Sequence, residues 1–255
     1  MDETNLEDNK MKVQHVVEIY FDMDFGHLPK SEEWVKERFE FFHKYTLNSL
    51  HEQTFNDFRI QVLCGETHRK LTESFDWDPS INVVYDSGRN YVETLNADYL
   101  AVTRIDSDDM FHKDAVMDVR TNLIWSRVMR RCLTFRKGWT WDMINGFIAP
   151  RFRVSPPFYT HVFPKVLFKD WEIYNAQHFI GHGKAGGRLP DTVGLPDFRT
   201  CVIRHESNVG YDRRGIKAEK LSLEKIESLR RKFGPDFTTD EGKIRRILNG
   251  FGVEL

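Results

Sequence analysis

Tyr99-Leu100-Ala101-Val102-Thr103-Arg104-Ile105-Asp106-Ser107-Asp108-Asp109 passes from an apolar run straight into a cluster of carboxylates. Tyr99 to Ile105 has the composition of a buried strand, and the strand stops at Asp106. Side chains two apart on an extended segment point the same way, so Asp106 and Asp108 are expected to face one site together. Carboxylates this close repel each other unless a positive charge sits between them. A hard divalent cation with positions left open for phosphate oxygens meets that need. The competing reading is a solvated turn in which Asp109 caps the following helix, since short acidic motifs do either.

The surroundings of this strand favour a site. Val13 to Phe21 reads as a buried strand running into Asp22-Met23-Asp24-Phe25-Gly26. Ser31 caps the next element, Glu32 and Glu33 suit its first turn, and Val35, Phe39 and Phe42 recur at helical spacing, which predicts an amphipathic helix over residues 31–51. Phe58, Ile60 and Val62 alternate as a strand closing at Gly65, and Ile81 to Tyr85 gives another that ends on Asp86. Strands alternating with helices imply a largely parallel sheet that binds ligands at the carboxyl ends of its strands, where Asp22, Asp86 and Asp106 fall.

Further along, Val116, Val119 and Leu123 mark a helical face. Cys132–Phe135 and Trp139–Ile144 read as a hairpin about Lys137-Gly138 that makes the sheet mixed. Residues 145–200, with most of the prolines and the glycines of Gly181–Gly187, are expected to be loop-rich and to form the acceptor side. Ser222 caps a helix stopped by Gly234-Pro235, and Thr238 with Glu241 makes a capping box for a last one. The organisation expected is a tail over 1–12, a catalytic α/β domain over 13–215, and a helical extension over 216–255 packed on that domain.

The 255-residue chain carries a formal net charge of −2 from 37 basic and 39 acidic residues, which gives no footprint for binding polyanions and no pointer to a nucleic-acid acceptor. Cys64, Cys132 and Cys201 have neither disulfide nor zinc spacing and read as buried thiols. The polar, acidic start is unlike a signal peptide and no apolar run is long enough to span a bilayer, so a cytoplasmic protein is expected.

Arg104-Ile105-Asp106-Ser107-Asp108-Asp109 resembles the Asp-x-Asp region of glycosyltransferases with the GT-A fold, in particular the bacterial putative rhamnosyltransferase family. Trp34, Arg38 and Phe41 with Ser49-Leu50-His51-Glu52-Gln53-Thr54 resemble that family's first helix and its Ser-Leu-x-x-Gln-Thr ending. Asn145-Gly146-Phe147 resembles its mid-chain segment, and Val202 to Val209, with His205 and Asn208, its late His-x-x-Asn segment. The resemblance runs over roughly residues 15–215 and departs at Phe21-Asp22-Met23-Asp24-Phe25, where the family commonly has an Arg-Phe-Asn type ending. It implies a Rossmann-like, mixed and mostly parallel sheet flanked by helices. It also implies transfer of a rhamnosyl or other hexosyl or pentosyl unit from a nucleotide-sugar donor to a saccharide or other hydroxyl acceptor.

The same resemblance implies a Mn²⁺ or Mg²⁺ held by Asp106, Asp108, Asp109 and His205, with Asp86, Arg104, Asp106 and Asn208 on the nucleotide. Among Asp170, Glu172, Asp191 and Asp197, Asp191 is the preferred base for the acceptor hydroxyl. On this reading Asp108→Asn removes transfer and leaves the fold intact. Trp139-Thr140-Trp141 and Pro156-Pro157-Phe158-Tyr159 offer sugar-stacking faces or core. Two other readings compete. Ile19-Tyr20-Phe21-Asp22-Met23-Asp24 resembles the Asp-x-Asp strand of haloacid dehalogenase-type phosphatases, with Asp22 as nucleophile, although Phe25 departs from that pattern. A non-catalytic nucleotide-sugar-binding module is the other.

Overall fold

The computed structural model describes residues 12–22, 30–85, 90–124, 131–153, 158–169, 192–206 and 220–255. Strand β1 (Val13–Tyr20) keeps its last six residues buried, as a strand covered on both faces must. It lies between β4 (Tyr99–Asp106) and β2 (Arg59–Leu63), both parallel to it, and β3 (Ile81–Val84) extends the parallel set beyond β2. On the far side of β4 comes β9 (Tyr159–Pro164), antiparallel to both β4 and β6 (Arg131–Thr134), and β10 (Thr192–Gly194) closes that edge parallel to β6. A second sheet holds β5 (Asp109–Phe111), β11 (Thr200–Arg204), β7 (Lys137–Asp142) and β8 (Phe147–Phe152), in that order.

Helices cover both faces of the larger sheet. Ser31 caps α1 (Glu32–Phe41), its hydroxyl accepting from the Trp34 amide at 3.2 Å. The helix then runs on through a π-helical stretch, Phe42–Leu47, into α2 (Asn48–His51), so the expected 31–51 element is one continuous rod. Its Val35, Phe42 and Leu50 and the α4 (Ala115–Ile124) residues Val119 and Leu123 bury against Val17, Ile19, Val62 and Ile105 of the sheet. The opposite face is covered by Tyr91, Val92, Leu95 and Phe168. The short helix α5 (Lys165–Lys169) belongs to this layer, whereas α3 (Arg69–Glu73) lies on the α1 side, where Leu71 packs against the same cluster as Val35 and Phe42. The result is the α/β plan that the sequence implied, a mixed and mostly parallel sheet flanked by helices.

At the C-terminus α6 (Leu223–Phe233) starts on the Ser222 cap, and α7 (Glu241–Asn249) places Ile244 and Leu248 with Phe251 and Val253 against Met110, Trp141, Ile148, Cys201 and Ile203 of the smaller sheet. Asp240, not Thr238, caps α7, accepting from the Lys243 amide at 2.7 Å. Thr238 is occupied elsewhere, in a bridge with Ile148. The three cysteines are free and buried. No helix among the described residues is long and apolar enough to cross a membrane.

Two expectations change. β6 and β7 are not a hairpin: β6 pairs with β9 and β10 while β7 pairs with β8 and β11, so the two residues between them carry the chain from one sheet to the other. Gly138 is a close-approach glycine and not a turn residue, because a Cβ there would lie 2.3 Å from Thr200 Oγ1 and 2.5 Å from the Thr200 carbonyl oxygen. Within 145–200 the described residues include β8, β9, α5 (Lys165–Lys169) and β10, while residues 154–157 and 170–191 lie outside the described residues. Pro150 sits in β8, an edge strand where no neighbour needs its amide, and Pro164 ends β9.

Candidate active site

β4 ends at Asp106, the chain turns at Ser107-Asp108, and β5 leaves the larger sheet for the smaller one. Alternation along an extended strand therefore does not hold through the acidic cluster, and its three carboxylates go three ways. Asp106 stays 34 % exposed and accepts from Arg104 NH2 at 3.3 Å. Asp108 is buried, with Arg38 NH1 at 2.5 Å and His205 Nε2 at 3.2 Å, both on its Oδ2. Asp109 is buried within β5 and accepts from the Ile203 amide at 3.3 Å, so it pins β5 to β11 and caps no helix.

The electrostatics follow this division. Burial by itself would raise the Asp108 carboxyl, but the Arg38 guanidinium and His205 outweigh it and hold Asp108 below the usual carboxylate range, as an anion. Asp109 has no such partner. Burial, and then the charges of Asp108 and Asp106, push it well above the usual range, only partly offset by Arg151.

Each partner of Asp108 is positioned in turn. Trp34, Arg38 and Phe41 recur at helical spacing and share one face of α1. The Arg38 guanidinium lies 4.7 Å from the Trp34 ring centroid, and the His205 ring stacks on Phe41 at 4.1 Å with 23° between planes. His205 follows directly on β11, whose last residue, Arg204, forms an ion pair with buried Asp142. Asp142 also accepts from the Asn145 amide and side chain at 2.9 Å, and Asn145 Oδ1 accepts from the Leu221 amide at 2.7 Å. The Asn145-Gly146-Phe147 segment thus braces the strand that delivers His205, through an Asp142–Arg204 pair that sequence reasoning missed. Its only signal was an arginine beside the candidate histidine.

Arg104 lies over the Tyr20 ring at 4.2 Å, beside the end of β1. Asp86, Asn208 and Asp191 fall outside the described residues, as do Asp24, Asp170, Glu172 and Gly181–Gly187. Asp197 is in an exposed pair with Lys137 at 2.7 Å. Of the aromatic candidates, Trp141 packs edge-on to Tyr45 at 5.5 Å and Phe158 and Tyr159 are buried, whereas Trp139 is half-buried beside Phe198 at 4.6 Å, and Pro156 and Pro157 lie outside the described residues. Asp22 is fully buried, its Oδ1 accepting from the Gly65 amide at 2.7 Å and its Oδ2 3.4 Å from His68 Nδ1, so it is not presented to a phosphoester as a nucleophile.

Among the described residues no three His, Cys, Asp or Glu side chains are grouped to hold a metal ion. Asp108 and His205 do form a pair, and their 3.2 Å separation suits two adjacent ligands, which stand about 3 Å apart when each bond is about 2.1 Å. Two protein ligands with the remaining positions left to phosphate and water is a common arrangement for Mg²⁺. Asp109 uses Oδ1 to accept from the Ile203 amide.

Residues 30–74 match the family described as "Putative rhamnosyl transferase". The chain resembles that family. The matched stretch contains the whole of α1 and α2, and so supplies Arg38 and Phe41, the residues that touch Asp108 and His205. No curated protein matches the chain. Among solved structures, residues 1–349 of TarS from S. aureus align at 15% identity with a TM-score of 0.43, covering 93% of this chain and 70% of that one. The same protein in complex with UDP aligns at 17% identity and a TM-score of 0.40, with 79% and 63% covered. Rv0371c in complex with manganese, from Mycobacterium tuberculosis H37Rv, aligns at 12% identity and a TM-score of 0.36, with 80% and 97% covered.

Proposed function

We propose that this protein is a glycosyltransferase that takes a sugar from a nucleotide-sugar donor bound where β1 and β4 end, and passes it to an acceptor hydroxyl. One observation carries the reading: the family-matched helix α1 meets the acidic turn after β4 and the histidine after β11 at a single carboxylate, Asp108. Three stretches far apart in sequence that converge on a buried anion at the carboxyl end of a parallel strand make a ligand site more economical than a structural one.

In this reading Asp108 and His205 would hold a Mn²⁺ or Mg²⁺. Such a cation, when bound, stabilises the negative charge that develops on the departing nucleoside diphosphate. Asp106, partly exposed beside Arg104, takes the ribose, and Arg104 takes the nucleotide from the β1 side, with Asp86 and Asn208 as further nucleotide contacts. Asp109, bonded to the Ile203 amide, fixes the turn so that Asp108 faces His205. Asp191 is the proposed base for the acceptor hydroxyl. The test is calorimetric titration with UDP-, dTDP- and GDP-sugars, with and without Mn²⁺ or Mg²⁺, followed by release of nucleoside diphosphate on adding saccharide acceptors. If no nucleotide sugar and no nucleoside diphosphate binds in the presence of either cation, the reading is wrong.

A further inference from the structure

Among the described residues, Asp108 Oδ2 meets Arg38 Nη1 at 2.5 Å and His205 Nε2 at 3.2 Å. Arg38 is 4 % exposed, so its contact with Asp108 is a buried ion pair and not a surface one. An oxygen that accepts a hydrogen bond from a guanidinium at that distance does not also take a divalent cation from the same side. The two positive charges would stand within a few ångströms of each other where little water screens them. His205 meets a related conflict. A carboxylate oxygen only accepts hydrogen bonds, so an Nε2 bonded to Asp108 carries its proton on the nitrogen that would bind the metal.

We propose that Arg38 is an exchangeable counter-ion. It neutralises Asp108 while the donor site is empty, and it moves from the carboxylate to the donor diphosphate when donor and cation enter together. This rests on the donor-site reading above and adds to it a rule of order, that the cation binds well only in company with a diphosphate. The chemistry suits an arginine. Its planar fork matches a phosphate as well as it matches a carboxylate, and its stem lets the head move without moving α1. Trp34 gives the guanidinium an aromatic face to slide along, 4.7 Å from the ring centroid.

The experiment reads Mn²⁺ binding directly, by loss of the free-ion electron paramagnetic resonance signal, for wild type, Arg38→Gln and Arg38→Lys. Each is titrated alone and then with UDP, dTDP or GDP present. Wild type is expected to bind Mn²⁺ weakly alone and about tenfold or more tightly with a nucleoside diphosphate. Arg38→Gln is expected to bind Mn²⁺ alone about tenfold more tightly than wild type and to gain little from the nucleotide. Arg38→Lys keeps a buried positive charge, guards against a glutamine variant that fails to fold, and is expected to fall between the two. Folded Arg38→Gln that binds Mn²⁺ alone no better than wild type overturns the counter-ion role, even if nucleotide binding is normal and the donor reading stands. Tighter Mn²⁺ binding by Arg38→Gln, lost again in Arg38→Gln/Asp108→Asn, supports the role even if no nucleotide binds and the donor reading fails.

Discussion

Asp108→Asn is expected to cost the fold as well as the chemistry, and the structure gives the scale. From the sequence alone the substitution removes a carboxylate from an open site and leaves packing untouched. In the structure the carboxylate lies between a guanidinium at 2.5 Å and an imidazole at 3.2 Å, with both partners buried. Asparagine keeps the shape and removes the charge, so Arg38 loses the carboxylate it is paired with at 2.5 Å. Breaking a buried pair from one side costs about 3–5 kcal/mol, a large share of the roughly 5–15 kcal/mol that holds a typical domain folded.

The assay is urea unfolding of wild type, Asp108→Asn, Arg38→Met and the double variant, analysed as a double-mutant cycle. Each single variant should lose several kcal/mol, and the double variant should lose clearly less than their sum, because the pair is then removed whole and not broken from one side. A loss below about 1 kcal/mol for Asp108→Asn, with additive behaviour in the cycle, would mean that solvent reaches the pair and that the buried-pair reasoning is wrong. The result also governs how activity data are read, since transfer lost by Asp108→Asn counts as chemistry only for the fraction that remains folded.

Three further outcomes are expected. For Asp109→Asn, the raised folded pKa means that wild type takes up a proton on folding, so its stability falls as pH rises above the unfolded value near 4. The variant should therefore gain on wild type by up to about 1.4 kcal/mol per pH unit as pH rises from there toward the raised folded value, and parallel urea midpoints at pH 4.5 and 6 would refute this. His15 is fully buried with its pKa lowered to about 3, chiefly by burial and then by Arg120, so protonation in the unfolded chain destabilises the fold as pH falls from 6.5 toward 3. At pH 5 that amounts to about 2 kcal/mol, which His15→Gln should largely abolish in melts compared at pH 7 and pH 5. Gly138→Ala should cost about 1–3 kcal/mol by calorimetry, and Thr200→Ala should not rescue it, because the Thr200 carbonyl oxygen is itself only 2.5 Å from the added Cβ.

The parallel half of the larger sheet was legible because its strands are apolar runs punctuated by turn residues, and the 31–51 helix because Ser31 and the acidic first turn announce it. β9 was not legible, for a physical reason. Its Thr160 and His161 look like loop residues but are buried, Thr160 Oγ1 lying 2.6 Å from Thr103 Oγ1, which in turn is 2.7 Å from His15 Nε2. Polar groups that satisfy one another between strands leave no mark in a hydrophobic pattern. The false hairpin has a similar origin, since alternation reveals that a segment is a strand but not which strand it will pair with. At the candidate site the acidic turn and His205 were legible one by one. The Arg38–Asp108 contact was not, because it joins a helix to a turn 70 positions later.

The acidic cluster shows how adjacent, chemically identical residues take different parts when the backbone turns beneath them. Had the chain stayed extended past Asp106, Asp106 and Asp108 would share a face and compete for one counter-charge. The turn at Ser107-Asp108 and the transfer of β5 to the second sheet separate them, so Asp106 remains half in solvent beside Arg104, and Asp108 turns inward to Arg38. Asp109 is then drawn against β11, where burial and the neighbouring carboxylates push its pKa up. That third position fixes the second: the bond from the Ile203 amide to Asp109 sets where β11 lies against β5, and β11 carries His205 to within 3.2 Å of Asp108. A substitution that loosens Asp109 from Ile203 should therefore displace His205 before it disturbs Arg38, so the two partners of Asp108 can be separated by experiment even though they meet on one oxygen atom.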